Sequence, residues 1–309
     1  MADIVVTEFI DQAALTGLAG YAVLYDRDLH KNGDALLAAA ADARALIVRN
    51  QTQVRGAVLD AATKLKVVGR LGVGLDNIDL AACKARGIAV CPASGANDDS
   101  VAEYVIAAAL VLLRGAYASV PGMIAGEWPR AALMGGEVMG KTLGLVGFGG
   151  TARAAARRAR ALGMTVAACD PALSARDPAW NQARRLDLPA LMAESDAISL
   201  HVPLTPETKR LIGAAELARC KPGAILINAA RGGVLDEDAA IAALKSGRLG
   251  GLALDVFETE PLTAASGARF AGLENLILTP HIAGVTRESN VRISSLTVAN
   301  VRRVLERGA

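Results

Sequence analysis

Three side chains in this sequence have types that could exchange a proton or bind an anion; each alone could be an ordinary loop residue or surface ion pair, but all three follow strand-like runs. Arg231 lies in "INAARGG", Glu260 in "DVFETEP" and His281 in "LTPHIAG". Each follows an apolar run that reads as a β-strand, so a parallel sheet would deliver all three to its carboxyl edge, where open α/β sheets bind ligands. A guanidinium forks onto a carboxylate and polarises a neighbouring carbonyl. A carboxylate beside an imidazole favours the charged imidazolium and orients the ring. Such an imidazole gives a proton to a forming alkoxide, or takes one from a hydroxyl. The chain has 3 histidines. His30 sits in the polar "YDRDLHKNGD" and is expected on the surface, and His201 closes "AISLHV", where a structural role is expected.

Proton exchange at a carbon-bound oxygen needs a partner for the electron pair. The stretch Gly144 to Asp170, "GLVGFGGTARAAARRARALGMTVAACD", supplies one. Gly147, Gly149 and Ala152 follow an apolar strand with the spacing of a dinucleotide-binding turn: a tight turn, a close backbone approach to pyrophosphate, and close packing of helix on sheet. Gly150 and Thr151 open the helix, whose free N–H groups and positive end favour phosphate. Asp170 closes the next strand, placed to accept both hydroxyls of an adenosine ribose and to repel a 2′-phosphate. NAD is therefore expected over NADP. Arg153, Arg157 and Arg160 fall on the face away from Ala152, Ala155, Ala156 and Ala159, as a solvated stripe.

Two series of strand and helix segments must position these groups. "DIVVTEF", "AVLYD", "ALIVR", "KVVGR" and "IAVC" read as five buried strands. "TLGLVG", "TVAACD", "AISLHV", "AILINA", "GLALDVF" and "LILTP" form the second series. Such alternation predicts an α/β chain of two doubly wound parallel-sheet domains. Residues 1–97 and 287–309 are expected to form one domain and 98–286 the other. A length of 309 residues with 52% hydrophobic content accommodates both cores, and a net charge of +2 gives no field to recruit nucleic acid or an anionic membrane. The 4 cysteines are scattered without a CxxC pair, so neither disulfides nor a metal site is expected. The start lacks the basic, apolar pattern of a signal peptide, and no apolar run is long enough to span a bilayer. A soluble, cytoplasmic protein is the expectation.

Ordered blocks along nearly the whole chain resemble the D-isomer-specific 2-hydroxyacid dehydrogenases: "LIVRNQTQV", "GRLGVGLDNIDL", "GEWPR", "KTLGLVGFG", "HVPLT", "INAARGGVLDEDA", "ALDVFETEP" and "TPHIAG". The resemblance implies a Rossmann cofactor domain inserted in a flavodoxin-like substrate domain. It implies that Arg231 binds the substrate's carboxylate and carbonyl, that His281 is the acid/base, and that Glu260 pairs with it. Asp255 would meet the nicotinamide amide, Val202, Pro203, Ala229 and Ala230 would line the cofactor, and the amides from Gly72 through Val73 to Gly74 would hold the carboxylate. In members acting on phosphoglycerate, arginines matching Arg49, Arg70 and Arg130 approach a distal anion. That implies a 2-hydroxy or 2-keto acid carrying a second anion, (S)-3-sulfolactate first. The alternatives are 3-phosphoglycerate and hydroxypyruvate or glyoxylate, and in a different class an NAD-sensing binding protein. A homodimer is the default assembly. One departure stands out: Gly150 and Thr151 occupy positions where many relatives carry an Arg-Ile pair, which removes a cation from the pyrophosphate site.

Overall fold

The computed structural model describes residues 2–307. The chain divides into two compact units, Met1–Asn97 with Val285–Ala309, and Asp98–Gly284. The return to the first unit falls at Val285, ahead of the expected residue 287. Thr286 belongs to the cap of the following helix, since its Oγ1 accepts from Ser289 N at 3.0 Å while Ser289 Oγ accepts from Thr286 N at 2.8 Å.

In the first unit, strands β1 (Ile4–Val6), β2 (Val23–Tyr25), β3 (Ala45–Val48), β4 (Val67–Arg70) and β5 (Ala89–Pro92) form a parallel sheet in the order β2-β1-β3-β4-β5. The unbroken apolar runs of β1 and β3 are fully buried, as central strands covered on both faces require. The sequence expected β2 to be buried too. It is an edge strand, with Val23 and Leu24 exposed, because only one neighbour and one side of the ladder cover it. The Arg287–Arg307 helix packs its Ile293, Val298, Val301 and Leu305 stripe on one face of this sheet.

In the second unit, β6 (Thr142–Val146), β7 (Thr165–Cys169), β8 (Arg184–Arg185), β9 (Ala197–Leu200), β10 (Ala224–Asn228), β11 (Leu249–Leu254) and β12 (Leu276–Leu278) form a parallel sheet in the order β12-β11-β10-β9-β6-β7-β8. Strand β8 was not anticipated. It is two exposed arginines at the sheet edge, without the β-branched run that marks a strand in sequence. The alanine-rich Gly150–Ala161 helix buries Ala152, Ala154, Ala155, Ala156 and Ala159, so it lies close to the Asp98–Arg114 helix. Arg158 bridges the pair at the surface, reaching Asp99 at 2.9 Å and Glu103 at 3.1 Å. The doubly wound, parallel α/β architecture is thus present in both units. Among the described residues no single helix is long and apolar enough to cross a membrane.

Candidate active site

Because every strand of the second unit points the same way, its functional loops emerge along one edge in the order of the strands. His281 follows β12, Asp255 and Glu260 follow β11, Arg231 follows β10, Val202 and Pro203 follow β9, the glycine turn follows β6, and Asp170 follows β7. Adjacent strands lie about 4.8 Å apart. The three steps from β7 to β10 therefore separate Asp170 from Arg231 by roughly 14 Å, a span that suits an extended dinucleotide. The chain order reverses between β6 and β9, the kind of switch point at which such sheets open a crevice.

At one end, His281 Nδ1 lies 2.7 Å from Glu260 Oε2, while Glu260 Oε1 accepts from Phe257 N at 3.0 Å. Burial pushes the Glu260 carboxyl up, but the His281 hydrogen bond, the Phe257 amide and the charges of His281 and Arg231 outweigh it and hold the group below its usual value. Glu260 is thus an ionised acceptor, and Nδ1–H is the donor. The His281 backbone is left-handed at φ 56°, uncommon for a residue with a side chain.

Asp255 maintains that conformation. Its carbonyl accepts from His281 N at 2.8 Å, and its carboxylate from Ile282 N, Ala283 N and Thr279 Oγ1 at 2.8, 2.8 and 2.6 Å. Tyr104 extends the chain by bonding Thr279 Oγ1 at 2.7 Å. In the neighbouring loop Asn228, also buried, accepts from Ala230 N and donates to the Arg231 carbonyl, which shapes the turn bearing Ala229, Ala230 and Arg231. That turn packs closely on the Glu260 loop: a Cβ on Gly232 would come within 1.7 Å of the Phe257 carbonyl oxygen.

At the other end, Gly147 has φ 90°, and a Cβ there would strike the His201 carbonyl at 2.7 Å and Val202 at 2.9 Å. A Cβ on Gly149 would meet nothing within 4 Å, so the backbone there is open to an incoming group. Asp170 Oδ2 accepts from Phe148 N at 2.8 Å and Oδ1 from Ala172 N at 2.9 Å, which ties the glycine turn to the end of β7. An open glycine backbone, a helix N-terminus and a carboxylate at the next strand end fit a dinucleotide. His201 is half-buried, its Nε2 3.0 Å from Ser199 Oγ.

The first unit positions its own basic groups at the carboxyl ends of β3 and β4. Glu8, 3% exposed, follows β1 and accepts from the amides of Arg49, Asn50, Gln51 and Thr52 at 2.8 to 3.2 Å. Burial raises its carboxyl, yet the Thr52, Gln51 and Arg49 amides outweigh that and keep it low. The Arg49 guanidinium bonds Asn290 Oδ1 at 2.8 Å and lies over the Phe9 ring, and burial lowers its pKa. Arg70 folds back on the Gly72–Val73–Gly74 turn, donating to the Leu71 carbonyl at 2.7 Å. Gly72, at φ 143°, leaves room for that guanidinium. His30, expected on the surface, is instead half-buried, with Nδ1 3.4 Å from the Thr7 carbonyl, because its short 3-10 turn packs Leu29 into the core. Arg130 is exposed in the turn after Val120–Ile124.

A sequence model of the D-isomer specific 2-hydroxyacid dehydrogenase NAD binding domain matches residues 106–283. The chain belongs to this family. It is 54% identical to an (S)-sulfolactate dehydrogenase of Chromohalobacter salexigens, over 99% of both chains. It is 39% identical to a hydroxypyruvate reductase of Thermotoga maritima, over 85% of both. Among solved structures, it is similar to a D-lactate dehydrogenase of Aquifex aeolicus complexed with NAD and lactic acid, with a TM-score of 0.85 and 30% identity over 98% of this chain and 95% of that one.

Sequence reading missed Glu8, Asp98, Tyr104 and Thr279. Each acts through contacts distant in sequence, and an isolated acid or hydroxyl gives no periodic signal. His201 yields a test of its environment. Burial pushes its pKa from 6.5 down to about 4, so between those values the unfolded chain binds the proton and the folded one does not. This contribution is complete above pH 6.5, is lost as pH falls toward 4, and levels off below that. Urea midpoints measured across this range should therefore fall more steeply for the wild type than for His201→Asn; parallel curves would refute the lowered pKa of this half-buried ring.

Proposed function

We propose that this protein interconverts (S)-3-sulfolactate and sulfopyruvate with NAD(H), using Arg231, Glu260 and His281 at the reacting carbon. The observation that carries this reading is the 2.7 Å pairing of His281 Nδ1 with Glu260 Oε2, on the same sheet edge as the Arg231 turn. Bound NAD(H) supplies or takes up the hydride at the substrate's C2. With Nδ1–H held by Glu260, Nε2 is the ring nitrogen left to exchange a proton with the substrate oxygen. In reduction the imidazolium gives that proton as the carbonyl becomes a hydroxyl; in oxidation the neutral ring receives it. Arg231 forks onto the C1 carboxylate and polarises the C2 carbonyl. Asp255 fixes the His281 loop and faces the nicotinamide end of the row, while Val202, Pro203, Ala229 and Ala230 line the cofactor. Gly147, Gly149, Gly150 and Thr151 receive the pyrophosphate, and Asp170 the ribose hydroxyls.

The substrate's second anion is assigned to Arg49 and Arg70, with the amides from Gly72 to Gly74 on the carboxylate. The full-length similarity to a sulfolactate dehydrogenase and the two arginines at strand ends support a sulfonate on C3. A phosphate, as in 3-phosphoglycerate, has the same charge-assisted hydrogen bonding available. Steady-state reduction of sulfopyruvate, 3-phosphohydroxypyruvate, hydroxypyruvate and glyoxylate, with NADH and with NADPH, decides among them. Sulfopyruvate with NADH should give the highest kcat/KM. A preference for glyoxylate, or equal use of NADPH, would overturn the assignment.

Two sets of variants test the roles. His281→Ala should lower turnover about 10²–10⁴-fold. Glu260→Gln removes the carboxylate that accepts from Nδ1 and orients the ring, so kcat should fall with KM little changed; an unchanged kcat contradicts the pairing. Arg70→Gln should cost roughly ten- to a hundredfold in kcat/KM for the doubly anionic acids, the scale of one charge-assisted hydrogen bond, and much less for glyoxylate. Equal losses for every acid would implicate the turn that Arg70 braces.

A homodimer and a cytoplasmic setting complete the proposal. Tyr117, Val120, Ile124, Trp128, Met134 and Met139 are all exposed, Ile124 and Met134 by 83%. So dense an apolar stretch marks an association surface, and a second copy of the chain is the occupant a symmetric enzyme offers. The four free thiols suit a reducing compartment. Light scattering should give a dimer for the wild type and a monomer with unchanged circular dichroism for Ile124→Glu/Trp128→Glu. A wild-type monomer would refute it.

A further inference from the structure

Asp98 begins the Asp98–Arg114 helix, and its carboxylate reaches the first turn of the neighbouring Gly150–Ala161 helix. Thr151 Oγ1 donates to Asp98 Oδ1 at 2.6 Å. A Cβ on residue 150 would lie 2.3 Å from Asp98 Oδ2, so the acid and the glycine are fitted to one another. Any side chain at 150 would force the carboxylate aside. The neighbouring Asp99 has its charge matched by Arg158, whereas Asp98 meets a hydroxyl and the glycine backbone. The first-turn amides of Gly150, Thr151 and Ala152 lack acceptors within their helix, and the carboxylate meets that turn at Gly150 and Thr151. They are the groups that favour an anion.

We propose that Asp98 is a negative determinant of cofactor affinity. Its carboxylate stands at the end of the helix that receives the pyrophosphate, opposes the positive helix terminus, and repels the cofactor's phosphates. Binding is then weaker than the glycine turn alone would provide, which favours release of the spent cofactor after each turnover. The proposal rests on the reading of this turn as the pyrophosphate site. It goes beyond that reading by assigning to Asp98 an opposing role that the glycine pattern does not contain.

The test is equilibrium binding to the full-length protein by calorimetry, for the wild type and Asp98→Asn. Asparagine keeps an oxygen to accept from Thr151 while removing the charge. Three probes separate the contributions: NADH, ADP-ribose, which has the pyrophosphate but no nicotinamide, and adenosine, which has no phosphate. Asp98→Asn should tighten NADH and ADP-ribose by about three- to tenfold, the scale of one charge near a helix terminus, and leave adenosine unchanged. The gain should shrink as KCl is raised from 20 to 500 mM, because screening removes a charge effect but not a packing effect. NADH affinity that is unchanged or weaker in a variant of wild-type melting temperature would overturn the proposal alone, as would equal tightening of adenosine or a gain insensitive to salt. Failure of NADH and ADP-ribose to bind either protein would overturn the cofactor site with it.

Discussion

The carboxylate of Asp255, 1% exposed, holds the His281 end of the second unit together. An acid so deeply buried requires hydrogen-bond donors, and Asp255 takes them from the segment that carries His281: the Thr279 hydroxyl and the Ile282 and Ala283 amides. With the Asp255 carbonyl also accepting from His281 N, the loop is fixed on both sides of the histidine. The left-handed backbone of His281 is unfavourable in isolation, and these bonds determine it. The ring consequently meets Glu260 with Nδ1. Glu260 is in turn seated by the Phe257 amide, two residues beyond Asp255 on the same chain segment. A single buried acid thus sets the geometry of the His281–Glu260 pair, to which it contributes no atom.

The sheet supplies the longer-range order. Parallel strands saturate their backbone groups with one another, which leaves the loops at their carboxyl ends to carry the polar chemistry. The order β12-β11-β10-β9-β6-β7-β8 places His281, Glu260 and Arg231 on three consecutive loops, with the glycine turn and Asp170 on two more. Hydride chemistry needs proton donor and dinucleotide turn apart, at a distance fixed by the cofactor's length. A twisted sheet of fixed strand spacing fulfils that need without any loop having to reach.

Most of this was legible in the sequence for physical reasons. Buried parallel strands are unbroken β-branched runs, and the glycine turn needs glycine at Gly147, where a Cβ would strike the His201 carbonyl. Arg231, Glu260 and His281 each announced themselves by following such a run. What was not legible depended on tertiary neighbours. Strand β8 is a pair of arginines made a strand only by lying against β7. Edge strand β2 has the same composition as a central one. The fit of Asp98 to Gly150 joins positions far apart in sequence, so Gly150 read from sequence is only a lost cation, whereas in the structure it is the room that Asp98 occupies.

The two units use acids in the same way. Glu8 in the first and Asp255 in the second are both buried carboxylates at the carboxyl edge of a parallel sheet, and both are satisfied chiefly by backbone amides of the loop after another strand. In Glu8 the amides outweigh burial and hold the carboxyl below its usual range. Amides pinned in this manner cannot wander, so the side chains between them, Arg49 in one loop and His281 in the other, keep their orientation without ion pairs to the pinning acid. An arginine neutralised by a direct bidentate carboxylate would have little left for an anionic substrate. Placing the acid on the backbone fixes the loop and leaves the Arg49 guanidinium to Asn290 and the Phe9 ring, and the His281 ring to Glu260.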